Sequence, residues 1–570
     1  MTRAGILRFL LLLVFLAAGR LQAADSASES AAQSQPMDNP VCLSCHGNEG
    51  FAVPRADGKQ RDLHVNAGRF EKSKHGALPC IGCHQDITEI PHKQGVQRKV
   101  ECGNCHADAA KQYSTSVHAA EVAKGNNAAT CVTCHTKHQI QSPKTEAERV
   151  AIPERCGACH TENFRSYTDT YHGQVTELGY GYTAKCFDCH SNHNIKRVSD
   201  PASTVHPNNR LSTCQRCHTG ATAGFLTFHP HANTHDFRRY PQMWIVSKFM
   251  IALLIGVFTF FWSHSLLWFY REYKDRKQGK SSPHVAISDL PIARGKQIRR
   301  FAPLWRLAHL VFAISVMTLV LTGMAVFYSQ TDWARAIMAA LGGPRTAAVI
   351  HRTAAVTMLS IFFLHLVYVL FFRIIPNAKS FDWFGPYSLV PSWKDLEQAI
   401  EMFRWFFGKG PRPSFDKWTY WEKFDYWAVF WGMAIIGGSG FMLWFPNATA
   451  SVLPGWVFNV ATLIHGEEAF LAAVFLFTVH FFNNHFRPDK LPPPDIVMFT
   501  GSVPVEEFKR EHALEYERLV KSGELQKYLV DAPSRPMTVG SRILGLVLIG
   551  FGLTLLVLVT TGFIVDLRTG

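Results

Sequence analysis

The chain of 570 residues is too long for a single hydrophobic core, and 47% apolar against 18% charged residues exclude a wholly disordered protein and point to segments in lipid. A formal charge of +14 would suit a nucleic-acid binder, but the basic residues cluster beside apolar segments, so membrane orientation explains them and no nucleic-acid partner is expected. All 14 cysteines fall between Cys42 and Cys217, which divides the chain by chemistry as well as by hydropathy.

Residues 1–24 combine Arg3 and Arg8 with a short apolar run and small residues at Ala23 and Ala24, the pattern of a signal peptide for export rather than of a spanning helix. Residues 25–41, rich in Ser, Ala and Gln, form a disordered lead-in by composition.

Every cysteine then belongs to a C-x-x-C-H motif: Cys42/Cys45/His46, Cys80/Cys83/His84, Cys102/Cys105/His106, Cys131/Cys134/His135, Cys156/Cys159/His160, Cys186/Cys189/His190 and Cys214/Cys217/His218. Two thiols about one helical turn apart can each bond to one edge of a porphyrin, and the next residue's imidazole then reaches the iron from one side. Seven such motifs with no cysteine left over fit seven covalent c-type haems. A disulfide framework would not require His after every second cysteine, and zinc ribbons, which place two such motifs on one metal, leave the seventh unpaired.

A repeat extends beyond the motifs. Three units share one plan: an aromatic residue, a histidine five places on, a C-x-x-C-H, a free histidine, then a second C-x-x-C-H. They run through Phe70, His75, Cys80, His92 and His106; through Tyr113, His118, Cys131, His138 and His160; and through Tyr167, His172, Cys186, His193 and His218. The leading cysteines Cys80, Cys131 and Cys186 lie 51 and 55 residues apart. Each unit therefore offers one spare imidazole per haem, and His75, His92, His118, His138, His172 and His193 are the expected sixth ligands, not necessarily to the haem nearest in sequence. For the lone N-terminal motif, the segment FLTFHPHANTH looks like a fourth unit cut short; it offers His229, His231 and His235, with His231 the expected ligand. His64 and His206 remain spare. Imidazole on both faces closes a haem to substrate, so such a domain conducts electrons. Short helices and loops wrapped around haems, with almost no sheet, are expected over residues 42–240.

Six apolar stretches are long enough to cross about 30 Å of hydrocarbon: 244–270, 303–328, 347–373, 425–445, 456–482 and 541–566. The connection 271–302 carries Arg271, Lys274, Arg276, Lys277, Lys280, Arg294, Lys296, Arg299 and Arg300. With 374–424 and 483–540 it is expected in the cytoplasm, opposite the short and nearly uncharged 329–346 and 446–455. Residue 243 then lies in the periplasm, so the expectation is a multi-pass protein of a bacterial inner membrane with a periplasmic haem domain. The expected plan is 241–300 for the first span and its basic loop, 301–485 for a four-helix core, 486–540 for a cytoplasmic segment and 541–570 for the last span.

Ionisable residues inside lipid are costly enough to suggest function. His351 and His365 lie 14 residues apart on the third span, and His465 and His480 lie 15 apart on the fifth. At about 100° and 1.5 Å per residue, each pair shares roughly one helix face with about 21 Å between its members, which suits two haems stacked across a bilayer. His309 lies near the cytoplasmic end of the second span, one turn after Arg306. His264, on the first span, reads as interfacial.

The stretches PLWRLAHLVFAISVMTLVLTG, VIHRTAAVTML, WTYWEKFDYWAVFWG and LIHGEEAFLAAVFLFTVHFFNNHF resemble the dihaem cytochrome b subunits of formate dehydrogenases and hydrogenases. The resemblance implies that His309 and His480 hold an inner b haem and His351 and His465 an outer one; Arg306, one turn before His309, is placed to meet a haem propionate, and Arg352 is a further cofactor-binding candidate. Spacing alone offers His365 instead of His309. The order of the whole chain resembles the fused b/c menaquinol oxidoreductases of metal-reducing bacteria. The implied fold class is mainly α: a loop-rich multihaem cytochrome c domain followed by a six-helix transmembrane bundle with a four-helix dihaem cytochrome b core.

No Rossmann fingerprint, P-loop, or molybdenum- or flavin-type motif occurs in the chain. The expected activity is oxidation of quinol from the membrane pool, with two b haems and seven c haems delivering electrons to periplasmic or outer-membrane cytochromes in anaerobic respiration. Quinone-site candidates are His365, Asn483 and Asn484 toward the inner haem, and Glu468 one turn after His465. Three other readings stay open: a terminal reductase of a small anion at a c haem, flow in reverse from c haems to quinone, and an adaptor that wires a separate enzyme.

Overall fold

The computed structural model describes residues 37–55, 57–92, 98–279 and 295–569. The expected export signal and residues 25–36 lie outside them. The chain divides into two compact units, one running to Ala107 with Lys137–Ile140 added, the other comprising Asp108–Thr136 and Gln141 onward.

In the first unit the short helices Asn39–His46, Ala67–Glu71 and Cys80–Cys83 bury no side chain fully. One hairpin, β1 (Ala52–Pro54) against β2 (Gln60–Asp62), is its only sheet among the described residues. In the second unit the motifs recur as one-turn helices, Cys131–His135 and Cys186–His190, each started by a side chain three residues in that accepts from the N-cap amide, Thr133 or Asp188. Both stop abruptly: Thr136 and Ser191 have φ of 65° and 71°, the only non-glycine residues with positive φ among those described. Such a conformation is disfavoured for a side chain with Cβ, so a defined turn away from His135 and His190 is imposed here by the surrounding structure.

Six helices are long and apolar enough to cross a membrane: α1 (Pro241–Lys277), α2 (Pro303–Phe327), α3 (Pro344–Asn377), α4 (Tyr420–Trp444), α5 (Trp456–Phe486) and α6 (Arg535–Arg568). Proline at the first helical turn starts α1, α2 and α3, where its missing N–H costs nothing. A reciprocal Thr419–Glu422 cap starts α4. Helices α3, α4 and α5 carry wider π turns, at Val369–Ile374, Met433–Gly437, Leu476–His480 and Phe482–Phe486. Side chains of α1, α2, α5 and α6 interlock through Phe258, Met324, Val474 and Val559.

The expected boundary near residue 240 is not a break between compact units. Residues 171–230 are tied to one end of the bundle, hereafter the motif side: Leu178 packs with Ala325, Ala334 and Met338, and Ser329 donates to Glu177 at 2.9 Å. Phe225 meets Phe458 at 5.6 Å between ring centroids, and the Asn459 side chain both donates to and accepts from the His229 backbone.

At the opposite end, two connections far apart in sequence form an unanticipated sheet of order β4-β3-β5, from β3 (Gln297–Arg299) in one and β4 (Ser502–Pro504) and β5 (Leu529–Val530) in the other. It covers a small core of Ile298, Val503, Val505, Phe508, Tyr516, Leu519 and Leu525. Arg487, 1% exposed, bridges this sheet side to the bundle: it pairs with Asp489 and Glu511, while its guanidinium lies 5.1 Å from the ring centre of Trp268. His264 is not interfacial. It is buried on α1 among Trp268, Phe403 and Phe406, with Nε2 2.6 Å from the Tyr420 hydroxyl, which satisfies the ring without water.

Candidate functional site

All seven motif histidines face a second imidazole. In the first unit the ring centroids are 6.1 Å apart for His46 and His92, 5.9 Å for His75 and His106, and 6.3 Å for His84 and His138. In the second they are 6.2 Å apart for His118 and His160, His135 and His193, and His172 and His218, and 6.4 Å for His190 and His231. On the membrane helices His351 and His465 repeat the arrangement at 6.3 Å.

The pairing follows a rule that the repeat left hidden. The histidine after each unit's aromatic faces the second motif of its own unit: His75 with His106, His118 with His160, His172 with His218. The free histidine after the leading motif faces the leading motif of the preceding unit: His138 with His84 and His193 with His135. By the same rule His92 faces His46, and His231 faces His190 rather than the N-terminal motif. The spare histidines are elsewhere. His206 caps helix Pro207–Gln215, His229 lies edge-on to Tyr240, His235 contacts Thr234, and the His64 amide donates to Asp62.

The motif cysteines are less uniform than the rings. None of them is in a disulfide. In the second unit Cys134, Cys156, Cys186, Cys189, Cys214 and Cys217 line one cavity together with their motif histidines. Cys45, Cys105 and Cys159 are exposed. Cys83, Cys131 and Cys217 are exposed as well. Cys45 is the last residue but one of its helix, Cys105 follows the short helix Cys102–Asn104, and Cys159 lies two residues past helix Glu146–Gly157.

Hydrogen bonds fix which ring nitrogen is free. His465 Nδ1 lies 3.0 Å from the Ile436 carbonyl and His46 Nδ1 2.9 Å from the Leu63 carbonyl; a carbonyl only accepts, so Nδ1 carries the proton and Nε2 presents its lone pair. Ile436 lies in the π turn of α4, where widened bonding leaves its carbonyl to a side chain. Thr322 donates its hydroxyl proton to Thr318 and so accepts from His351 Nδ1 at 2.8 Å. Ser166 likewise donates to Asn163 and accepts from His231 Nδ1 at 3.0 Å. His480 Nδ1 donates to Asp425 Oδ2 at 3.0 Å. In contrast, His365 spends Nε2 on the Tyr426 hydroxyl at 2.9 Å.

His309, His480 and His485 line the same cavity as His351 and His465. On α5 the 15 residues from His465 to His480 would leave the two rings about 60° apart on an ideal α-helix; the π turn Leu476–His480 absorbs part of that rotation. Arg306 is turned toward the sheet side and donates to the Phe499 carbonyl, with its Nε buried and unpartnered. Arg352 lies 5.4 Å over the Trp444 ring and lines the cavity. Glu468 does not hold His465. It accepts from Trp431 Nε1 at 2.7 Å, and its other oxygen is buried without a partner. Asn484 donates to the His480 carbonyl at 2.8 Å, and Asn483 is buried.

These residues fit haem. Metal–nitrogen bonds of about 2 Å on each side, plus about 1 Å from each nitrogen to its ring centre, put two centroids about 6 Å apart, as observed. Small residues keep room beside the membrane rings: a Cβ on Gly440 would stand 2.9 Å from His465 Cε1, and one on Gly323 3.3 Å from His351 Cε1. Among the described residues no group of three or more His, Cys, Asp or Glu could hold a metal ion alone, whereas two imidazoles complete an iron whose other positions a porphyrin fills. A continuous cavity of about 3450 Å³, several times a single small-molecule pocket, is lined by all four facing pairs of the second unit, by His351 and His465, and by His309, His480 and His485.

Sequence reasoning missed Asp425, Tyr426 and His485. Asp425 and His485 are ionisable groups at the ends of apolar stretches, a signal that was present. Tyr426 had no signal apart from its partner.

No curated protein and no solved structure matches the chain. Residues 300–486, a third of the chain, match the model of the prokaryotic cytochrome b561 family, so this region of the multi-pass protein is similar to membrane b-type cytochromes of electron transfer.

Proposed function

We propose that the protein is a quinol oxidoreductase of a bacterial inner membrane, delivering electrons from quinol to periplasmic or extracellular acceptors through two b haems and seven covalent c haems. The observation that carries this reading is one cavity lined by His309 and His480, by the facing His351 and His465, and by the facing pairs of the motif segments. When bound, the haems supply one-electron redox centres. The chain's histidines would hold them from both faces: every motif histidine has a second imidazole opposite it, which disfavours a terminal reductase.

Quinol fits best at His365 and Tyr426. Their hydrogen-bonded pair sits on lipid-spanning helices beside Trp305, and Tyr426 also lines the cavity next to Asp425. The imidazole can accept a proton from a quinol hydroxyl that Tyr426 orients. Glu468, with one free buried oxygen, is the second proton acceptor within the bundle.

Mixing the purified oxidised protein with menaquinol and following the b and c absorption bands tests the reading. Both sets should reduce, b no later than c. Reduction of c without b, or of neither, excludes it.

A further inference from the structure

The three membrane imidazoles whose Nδ1 partners are defined are not held alike. His351 is held by the Thr322 hydroxyl, His465 by the Ile436 carbonyl and Ser439, but His480 by the Asp425 carboxylate. Asp425 has no Lys or Arg partner among the described residues; His480 is its one ionic contact. Its Oδ1 is buried with no hydrogen-bond partner, and its side chain is 17% exposed. Asn484, one turn after His480, lies 3.3 Å from the same Nδ1 and closes that side of the ring.

A carboxylate that accepts the Nδ1 proton makes the imidazole a stronger donor to a metal at Nε2. Its uncompensated charge also acts in a medium of low dielectric, where it favours the more positive, oxidised state of a nearby iron. A hydroxyl or carbonyl does the same far more weakly. Hydrogen bonding to the axial ligand is one of the few levers by which a protein sets a haem potential.

We infer that Asp425 is a positioning and tuning residue that holds the haem at His480 at a lower reduction potential than the haem at His351 and His465. The reduction potential then rises from the sheet side to the motif side, which gives electron flow toward the motif segments a direction that residue types alone do not reveal. This inference rests on the proposed assignment of His480 as a b-haem ligand.

The test is an equilibrium redox titration of the full, haem-loaded chain, followed optically in the b bands and by ferric low-spin EPR. Wild type should show two b components, and Asp425→Asn should raise the lower one by at least tenfold in its reduction equilibrium, about 59 mV for a one-electron couple. The higher component and the c haems should stay in place, and the EPR signal of one b haem should change. Asp425→Glu, which keeps a carboxylate, should retain the low midpoint at full haem content, and it decides the matter if Asp425→Asn loses haem. A smaller shift, movement of the higher component instead, or a raised midpoint in fully loaded Asp425→Glu overturns the inference. Absence of two b components in wild type overturns the underlying assignment as well, so the two failures are distinguishable.

Discussion

His231 faces His190 across 6.4 Å, although 41 residues and a further C-x-x-C-H separate them, and its Nδ1 is held by Ser166. The free histidine of each unit reaches back to the leading motif of the unit before, so His231 is the last rung of a ladder whose first rung is His46 with His92. Each repeat completes its predecessor.

Replacing His231 with Ala should therefore leave one c haem, at His190, without a sixth ligand, while the centre at His46 is untouched. One high-spin ferric signal should appear by EPR while the other six c haems and both b haems stay low-spin. His92→Ala should act on His46 alone. Ser166→Ala removes one orienting hydrogen bond, worth about 1 kcal/mol, and should give partial rather than complete conversion. A high-spin signal from the N-terminal motif in His231→Ala would contradict the ladder.

Gly440→Ala places a Cβ 2.9 Å from His465 Cε1, whereas Gly323→Ala meets His351 at 3.3 Å. Overpacking of a fixed ring costs about 1–3 kcal/mol, a factor of about 5 to 150 in affinity. Gly440→Ala should lower b-haem content toward one per chain with the component at His480 retained, and Gly323→Ala should lower it less. Haem content by alkaline pyridine spectra reads both. Equal loss in the two variants would mean that the glycines do not shape the cradle.

Much of this site was legible in residue order. The C-x-x-C-H motifs and the six unit-placed histidines name every ring that faces another in the two haem-motif segments except His231, which the truncated fourth unit supplied. What residue order could not give was the pairing, because a free histidine meets a motif of another unit only after the chain has wrapped. The six spans were legible from hydropathy, since lipid demands a run of apolar residues however the helices then pack. The sheet of β3, β4 and β5 was not, because its strands have two or three residues each and β3 is separated from its partners by more than two hundred residues. Nor was the role of Asp425, whose meaning depends on the ring it touches.

His512 is 4% exposed, donates Nδ1–H to the Asp416 carbonyl at 2.7 Å, and lies beside Arg300, with Glu511 and Glu422 opposing that charge. Burial, and then Arg300, hold its pKa below the usual 6.5. The folded state therefore stays neutral where the unfolded chain takes up a proton, and stability present above pH 6.5 is lost as pH falls toward the folded pKa, at up to about 1.4 kcal/mol per pH unit. Hydrogen exchange of residues 296–300 and 502–530, corrected for intrinsic rates, should accelerate between pH 7 and pH 5 and do so less in His512→Gln. An unchanged pH dependence in that variant would assign the effect to another group.

His309 and His365 compete on sequence grounds for the same haem, and their ring nitrogens separate them. Nε2 of His365 is engaged by Tyr426, while His309 shares with His480 a cavity that His365 does not line. His309→Ala and His480→Ala should each lose the same b component in redox titration and in pyridine spectra. His365→Ala should keep two b haems with unchanged midpoints, yet slow their reduction by menaquinol about a hundredfold or more, the low end of what a removed general base costs. Tyr426→Phe should raise the quinol concentration needed for half-maximal rate more than it lowers the limiting rate, because the hydroxyl orients rather than accepts. If His365→Ala loses a b haem, the imidazole is a ligand and the quinol site must be sought at Glu468.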